Sequence, residues 1–451
     1  MSQRSASYSL SNRASSGSPR RSLGEGGSSI ADHPSGKIAE PVGPSAITNE
    51  LSSGCHIAVL TGGGDKPYAL GIAAALTSAG IHVDFIGSDD LKVPELMRNP
   101  RLHFLNLRGD QRPEVSPLIK VFRILSYYGK LILYAASAKP RLFHVLWNNK
   151  FQMFDRTLLM LYYKLLRKRV VFTAHNVNAG KRDSNDSWLN RLSLKTQYAL
   201  SDHIFVHTEA MKAELLCDFD VPEEKVSVIP FGINNTVPNT SLSSAEAKRQ
   251  LEISSSDKTL LFFGNIARYK GLDYLVAAFE ELLKKDRNYR LLIAGKPKGP
   301  ESYWNTVRRT IASSSIGDRV VAKIEYVPDA ETELYFKAAD VLILPYAHVF
   351  QSGVLFLGYS FGLPAIAADV GSLKEEIIEG TTGFVFKPRD SSDLACKIDD
   401  YFASDLFQSL EHNRLEIKKY ANQRYSWSKV ANLTVNVYLR LAGAEEVRSD
   451  F

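Results

Sequence analysis

Short apolar runs alternate along this chain with stretches whose apolar residues recur at helical spacing. His56-Ile57-Ala58-Val59-Leu60 is the first run, and Gly62-Gly63-Gly64 follows it. Residues 69–76 then predict a helix, and His82-Val83-Asp84-Phe85-Ile86-Gly87 the next strand. A strand, a glycine turn, a helix and a second strand begin a parallel sheet. Val170-Val171-Phe172-Thr173-Ala174, a helix over 188–200, His203-Ile204-Phe205-Val206-His207 and Val226-Ser227-Val228-Ile229-Pro230 continue the alternation.

The stretch 232–244, rich in Asn, Thr, Ser and Pro, interrupts it and reads as an interdomain linker. A second alternation starts at Thr259-Leu260-Leu261-Phe262-Phe263-Gly264. It runs through helical spacing over 272–283 and the strands Tyr289-Arg290-Leu291-Leu292-Ile293-Ala294-Gly295, Val341-Leu342-Ile343-Leu344-Pro345 and Pro364-Ala365-Ile366-Ala367-Ala368. The fold class expected is α/β, with two doubly wound, Rossmann-like lobes facing a central cleft. Ligands of such sheets bind beyond the carboxyl ends of the strands, so the cleft is the expected site.

Composition changes this picture at its ends. The chain has 451 residues, 44% hydrophobic and 23% charged, as expected for a protein with a substantial core. Residues 1–54 are rich in Ser and Gly and carry four Arg before the first acid, Glu25. They bury too little to offset their ordering entropy and read as a disordered tail, the alternative being a transit peptide. The three cysteines Cys55, Cys217 and Cys396 are too scattered for a disulfide framework or a zinc site. No apolar run reaches the ~18–20 residues of a membrane-spanning helix. A cytoplasmic location, with peripheral contact to the inner face of a membrane, is the expectation.

Several runs in the second half resemble retaining GT-B glycosyltransferases of the family-4 type, also described as glycosyl transferases group 1. They are Phe263-Gly264-Asn265-Ile266-Ala267-Arg268-Tyr269-Lys270-Gly271-Leu272, Ala338-Ala339-Asp340-Val341-Leu342-Ile343-Leu344-Pro345-Tyr346, Gln351-Ser352-Gly353-Val354, Gly362-Leu363-Pro364 and Asp369-Val370-Gly371-Ser372-Leu373-Lys374-Glu375. Gly380-Thr381-Thr382-Gly383 closes the series, and Thr173-Ala174-His175-Asn176 is a looser match in the first half. The resemblance implies an acceptor lobe over 55–233, a nucleotide-sugar lobe over 234–415 and a C-terminal helix over 416–451 returning to the first lobe. It implies transfer of a hexose from a nucleotide sugar, a co-substrate, with no cofactor and no metal. The chain departs from the family where two glutamates usually stand, at positions occupied by Phe350 and Gly358, and where an Arg usually stands, at Asn265. A subgroup with a Gln-Ser-Gly loop shares the first departure.

Cleaving a sugar–diphosphate bond builds negative charge on the leaving phosphate, which needs cations and N–H donors aimed at it. Lys270 and Arg268 stand where a strand passes into a helix, and helix N-termini favour phosphate. They and His175 are the catalytic candidates; solvated loop cations and a structural histidine are the plainer readings. Gly264, Asn265, Gln351, Ser352, Gly353 and Val354 are the donor-binding candidates, with a simple helix cap at Ser352 as the plainer reading. Gly63 and Gly64 are acceptor-side candidates, or simply a tight turn.

Residues 115–170 hold eleven Lys and Arg against one acid, Asp155, so this segment carries +10 and the remainder −4 of the net +6. Two basic amphipathic helices are expected, near 122–136 and 162–169. They suit an anionic membrane surface and a sugar or lipid-linked acceptor in polysaccharide biosynthesis. Solvated cations on crossover helices fit equally, and no recognition motif supports nucleic acid. Two rival functions stand beside transfer: a catalytically degenerate binding or scaffold protein, and a nucleotide-sugar epimerase, which shares the two-lobed plan.

Overall fold

The computed structural model describes residues 55–449, apart from 113–114, 183–185, 236, 300 and 350. The reading of 1–54 and the position of Phe350 lie outside the described residues.

Two parallel sheets carry the chain. The first contains β1 (His56–Leu60), β2 (His82–Gly87), β3 (Leu102–Asn106), β4 (Leu142–Val145), β5 (Arg169–Thr173), β6 (His203–Val206) and β7 (Val226–Val228) in the order β3-β2-β1-β4-β5-β6-β7. The second contains β8 (Lys258–Phe263), β9 (Tyr289–Ala294), β10 (Val320–Lys323), β11 (Val341–Leu344), β12 (Ala365–Ala368) and β13 (Gly383–Phe386) in the order β10-β9-β8-β11-β12-β13. Strand order reverses beside β1 in one sheet and beside β8 in the other. The loops after these two strands therefore sit at the switch points, where open α/β sheets hold ligands. Helices cover both faces of such sheets, so the central strands read as unbroken apolar runs. β8 and β11 are buried along nearly their whole length.

Helix α1 (Lys66–Ser78) starts where Asp65 accepts a hydrogen bond from the Tyr68 amide at 2.9 Å, with Pro67 in the first turn. The other helices used below are α2 (Pro117–Ser137), α3 (Trp188–Leu200), α4 (Leu272–Lys285), α5 (Gly353–Ser360), α6 (Leu410–Arg424) and α7 (Trp427–Ser449). The core around the second sheet draws on residues from Ile233 to Tyr425, including Ile417 and Ala421 of α6. The core around β1 and α1 takes Val430, Val435, Val437 and Tyr438 from α7. The chain thus passes between the lobes twice, within 231–243 and within 425–427. The crossings touch: the Ile233 amide donates to the Tyr425 carbonyl at 3.0 Å, and Trp427 Nε1 donates to the Ile233 carbonyl at 2.9 Å. The Trp427 ring lies over Gly71 and Gly232, where an added Cβ would stand 2.2 and 2.4 Å from it.

The basic stretch divides into two parts. Its first expected helix is longer than predicted, Pro117–Ser137. The second, near 162–169, is not a helix of that length. Helical structure ends at Leu165, and Arg169 opens β5. The chain turns out of the helix at Arg167, which takes a left-handed φ of +56°, and the cations on either side have structural partners. Lys168 donates to the carbonyls of Ala138 and Pro140 at 2.8 and 2.9 Å, while Lys164 and Arg169 both pair with Asp202. Among the described residues, no helix is long and apolar enough to cross a membrane.

Candidate functional site

A cavity of about 320 Å³ opens between the lobes. From the first lobe Asp65, Tyr68, Asn176 and Phe231 line it, joined by Trp427. From the second come Tyr269, Lys270, Tyr346, Val349 and Leu357, together with Gln351, Ser352, Gly353 and Val354.

The second-lobe corner is built from its backbone. Beyond β8, Gly264 takes φ +100°, and a Cβ there would lie 3.3 Å from Lys270 Nζ and 3.5 Å from Val354 Cγ2. One tight turn, Arg268–Lys270, carries the chain to Gly271, which starts α4 in a left-handed conformation at φ +65°. A side chain at Gly271 would collide with the Pro345 carbonyl oxygen, 1.9 Å from the Cβ position. The Ala347 amide donates to the Tyr269 carbonyl at 2.8 Å, which ties this turn to the loop after β11. These contacts fix Lys270 in place.

Lys270 is 8% exposed. Its Nζ donates to the Tyr346 hydroxyl at 3.1 Å, and that hydroxyl stands 3.2 Å from Ser352 Oγ. Lys270 makes no ion pair among the described residues. Burying an ammonium away from water costs several kcal/mol unless an anion compensates. Close by, both polar atoms of the Gln351 amide are buried without a hydrogen-bond partner. Orphaned buried polar groups are rare, and those in a cleft mark where a ligand completes the bonding. Ser352 stands at the N-cap of α5, but its hydroxyl makes no capping bond and turns to Tyr346 instead. The start of α5 thus keeps its orphan amides facing the cavity.

On the first lobe, His175 is not in the cavity wall; its neighbour Asn176 is. The His175 ring stacks on Trp147 with centroids 4.0 Å apart, and its Nδ1 is 3.0 Å from His207 Nε2. Burial, reinforced by His207 and His144, pulls its pKa well below the ordinary range, so it is neutral. Its Nε2 is buried and unpartnered, as is the Tyr68 hydroxyl that lines the cavity beneath it. Gly63 and Gly64 pack on Arg108 and Trp147, where added Cβ atoms would come within 2.4 and 2.0 Å of their side chains. Arg268 is exposed and does not line the cavity, and neither does Asn265. At the turn of α5 where a family glutamate was expected, Gly358 faces β11, with its Cβ position 2.8 Å from Leu342. The residue that faces the cavity there is Leu357.

Tyr346 stands in the sequence only as the end of a family-like run and Trp427 only in the returning C-terminal helix, and neither they nor Tyr68 are among the site candidates read from it. The Asp65-Lys66-Pro67 helix start was a local signal for Tyr68, but Trp427 reaches the cavity only through the return of α7.

Comparison with known proteins agrees with this geometry. A model of "Glycosyltransferase Family 4" matches residues 62–236, and a model of "Glycosyl transferases group 1" matches 257–404. A D-inositol 3-phosphate glycosyltransferase of Corynebacterium efficiens is 26% identical over 298 residues, covering 62% of this chain and 68% of that protein. An uncharacterized glycosyltransferase of Methanocaldococcus jannaschii is 27% identical over 241 residues, 53% of this chain and 60% of its own length. Among solved structures, sucrose-phosphate synthase from Thermosynechococcus elongatus shares the fold with a TM-score of 0.67 at 20% identity, covering 86% of this chain and all of that one. HepE of Anabaena, solved with UDP-glucose, gives 0.64 at 15% identity over 86% of this chain and 99% of its own. The two family models run through both lobes, and the chain belongs to the group 1, family-4 type of GT-B glycosyltransferases.

Proposed function

We propose that this chain transfers a hexose, with retention of anomeric configuration, from a nucleotide sugar to a sugar or lipid-linked acceptor in polysaccharide biosynthesis. The observation that carries the reading is the buried, unpaired ammonium of Lys270 beside the unpartnered amide of Gln351. A diphosphate seated there supplies the missing anion and accepts from Lys270, from Gln351 and from the amides at the start of α5. As the bond from the sugar's anomeric carbon to the phosphate oxygen breaks, the same donors stabilise the departing nucleoside diphosphate. The acceptor hydroxyl forms the new bond on the face the phosphate leaves, and its proton passes to that phosphate. No protein nucleophile is needed. Neutral His175 lies outside the cavity wall, packed edge-to-face on Tyr68 with centroids 4.7 Å apart, and supports the sugar side of the cavity through that ring.

HepE, a relative in fold, was solved with UDP-glucose, which supports a nucleotide sugar as the donor class. The cations and exposed apolar side chains of α2 support an anionic membrane surface as the place of action.

Incubation with a panel of nucleotide sugars, with and without membrane extract, tests the proposal. The expected result is release of nucleoside diphosphate from one donor, raised by the extract. Binding without release from any donor favours the scaffold reading, for which Gly358 and the apolar Leu357 speak. Interconversion of two donors without release favours an epimerase.

A further inference from the structure

Just past the ends of four neighbouring strands of the first sheet stand groups that touch one another in turn. In the order β4-β5-β6-β7 they are the Trp147 ring, the His175 ring, the His207 ring and the Ile229 carbonyl. Trp147 stacks on His175 with centroids 4.0 Å apart. His175 Nδ1 stands 3.0 Å from His207 Nε2, and His207 Nδ1 stands 3.2 Å from the Ile229 carbonyl oxygen. We infer that His207 is a positioning residue for the transfer. It fixes His175 in one tautomer and, through that ring, holds the parts of the first lobe that face the cleft. This rests on the transferase reading above and adds a residue to it.

The tautomer follows from placing the protons. A carbonyl only accepts, so the proton between His207 and Ile229 is on His207 Nδ1. Burial keeps both imidazoles neutral, pulling His207 down to about 4 and His175 well below its ordinary range. A neutral imidazole carries one N–H, so His207 Nε2 is a bare lone pair. It accepts from His175 Nδ1–H. The opposite tautomer of His175 would set two lone pairs face to face across 3.0 Å. His175 Nε2 is then bare as well, and it is buried without a hydrogen-bond partner. The carbonyl after the edge strand β7 thereby sets the polarity of a ring two strands away.

The imidazole pair sits among aromatic rings. Tyr68 meets His175 and His207 edge-on, with centroids 4.7 and 5.7 Å away, and Phe231 meets them at 6.1 and 5.1 Å. Tyr68 and Phe231 both line the inter-lobe cavity. Apolar rings would fill the same space; the hydrogen bonds add a fixed orientation for each ring. Two places in the cleft inherit it. Asn176, next to His175 in the chain, lines the cavity. Trp147, stacked on His175, also covers Gly64, where a Cβ would stand 2.0 Å from the indole. One bond from His207 therefore steadies both the strand end that carries Asn176 and the glycine loop.

Long-range proton–nitrogen NMR of the full chain, with histidine alone isotope-labelled, reads the tautomers; His175→Gln and His207→Gln identify the two signals. Both rings are expected to carry the proton on Nδ1, and a proton on Nε2 of either overturns the proposal. His207→Gln keeps an amide N–H for Ile229 and an amide oxygen for His175, whereas His207→Phe offers neither. His175 should keep its Nδ1–H in His207→Gln and lose it, or share it between its nitrogens, in His207→Phe. Nucleoside diphosphate release from the nucleotide-sugar panel should fall about tenfold in His207→Phe, as expected for a misplaced wall, and less than about twofold in His207→Gln. Binding of UDP, GDP and ADP, held by the second lobe, should be alike in all three proteins. An unchanged His175 signal or unchanged release in His207→Phe overturns the proposal, and so does an equal loss of release in both variants, which marks a merely structural histidine. If His207→Phe does not fold, the spectrum of the unaltered chain and the behaviour of His207→Gln still decide. Release of nothing from any donor by the unaltered chain ends the transferase reading and the positioning role with it, while the spectra alone then decide the tautomer.

Discussion

The two lobes wind their strands in the same order, yet the loops at their switch points carry opposite chemistry. After β1 the turn holds three glycines and the carboxylate of Asp65, packed on Arg108 and Trp147. After β8 the turn holds Lys270, buried beside the amide-rich start of α5. The fold brings a loop to each side of the cleft and leaves its charge open. A side chain of one sign on each loop then decides which lobe takes the anionic end of a ligand. The lobes also differ in their histidines. His144, His175, His203 and His207 are set into the first lobe with lowered pKa values, while the second lobe has only His348 and His412.

The strongest way to break this contrast is to remove the cation. Lys270→Ala should lower turnover about a hundredfold or more, the usual cost of losing one charge-stabilising donor. It should leave the thermal midpoint unchanged or raised, since an unpaired buried charge goes with it. Near-normal release of nucleoside diphosphate would sink the assignment. A second test compares two glycines that share φ +65°. Gly271 sits against the Pro345 carbonyl, whereas nothing lies within 4 Å of the Cβ position at Gly109 in the first lobe. Gly109→Ala should cost about 1–2 kcal/mol by denaturant unfolding, the left-handed penalty alone. Gly271→Ala should cost clearly more, because Pro345 must also move.

Acid should separate the lobes next. His203 and His207 are pulled down to about 4, both chiefly by burial. They bind fewer protons folded than unfolded, so their contribution is complete above the unfolded pKa of about 6.5. It is lost as pH falls from there toward 4, and the first lobe should loosen before the second. Near-ultraviolet circular dichroism, with Trp147 stacked on His175, should change before the environment of Trp304 in the second lobe. Simultaneous transitions would remove the distinction. The smallest effect is on stability at the surface. Leu118→Ser in α2 and Leu415→Ser in α6, 82% and 63% exposed, should each shift unfolding by no more than about 0.5 kcal/mol. Only the first should reduce sedimentation with anionic vesicles.

Much of the fold was legible because central strands of parallel sheets are continuous apolar runs. β2 and α3 appear at the residues expected. Four strands were not read, β3, β4, β10 and β13. Three of them are sheet edges, where one side meets solvent and the apolar run breaks: β10 is Val-Val-Ala-Lys, and β3 alternates with His103 and Asn106. β4 is central but only four residues long and lies within the basic stretch, which hid it. In the site, Lys270 and the Gln351-Ser352-Gly353-Val354 loop could be picked out because each motif is local. The partners that complete the wall could not, since Tyr68 and Trp427 meet it through contacts far apart in sequence. The exposed side of Arg268 and the inward place of His175 likewise depend on how a turn is oriented, which residue type does not record.

The paired crossings at 231–243 and 425–427 have a mechanical consequence. A body tethered at one point is able to turn about three axes; one tethered at two points turns about the line joining them. Trp427, bonded to Ile233 and seated over Gly71 and Gly232, pins the two tethers close to the cavity wall itself. Opening and closing then swing the far rims of the lobes widely while the innermost wall scarcely shifts, like covers moving about the spine of a book.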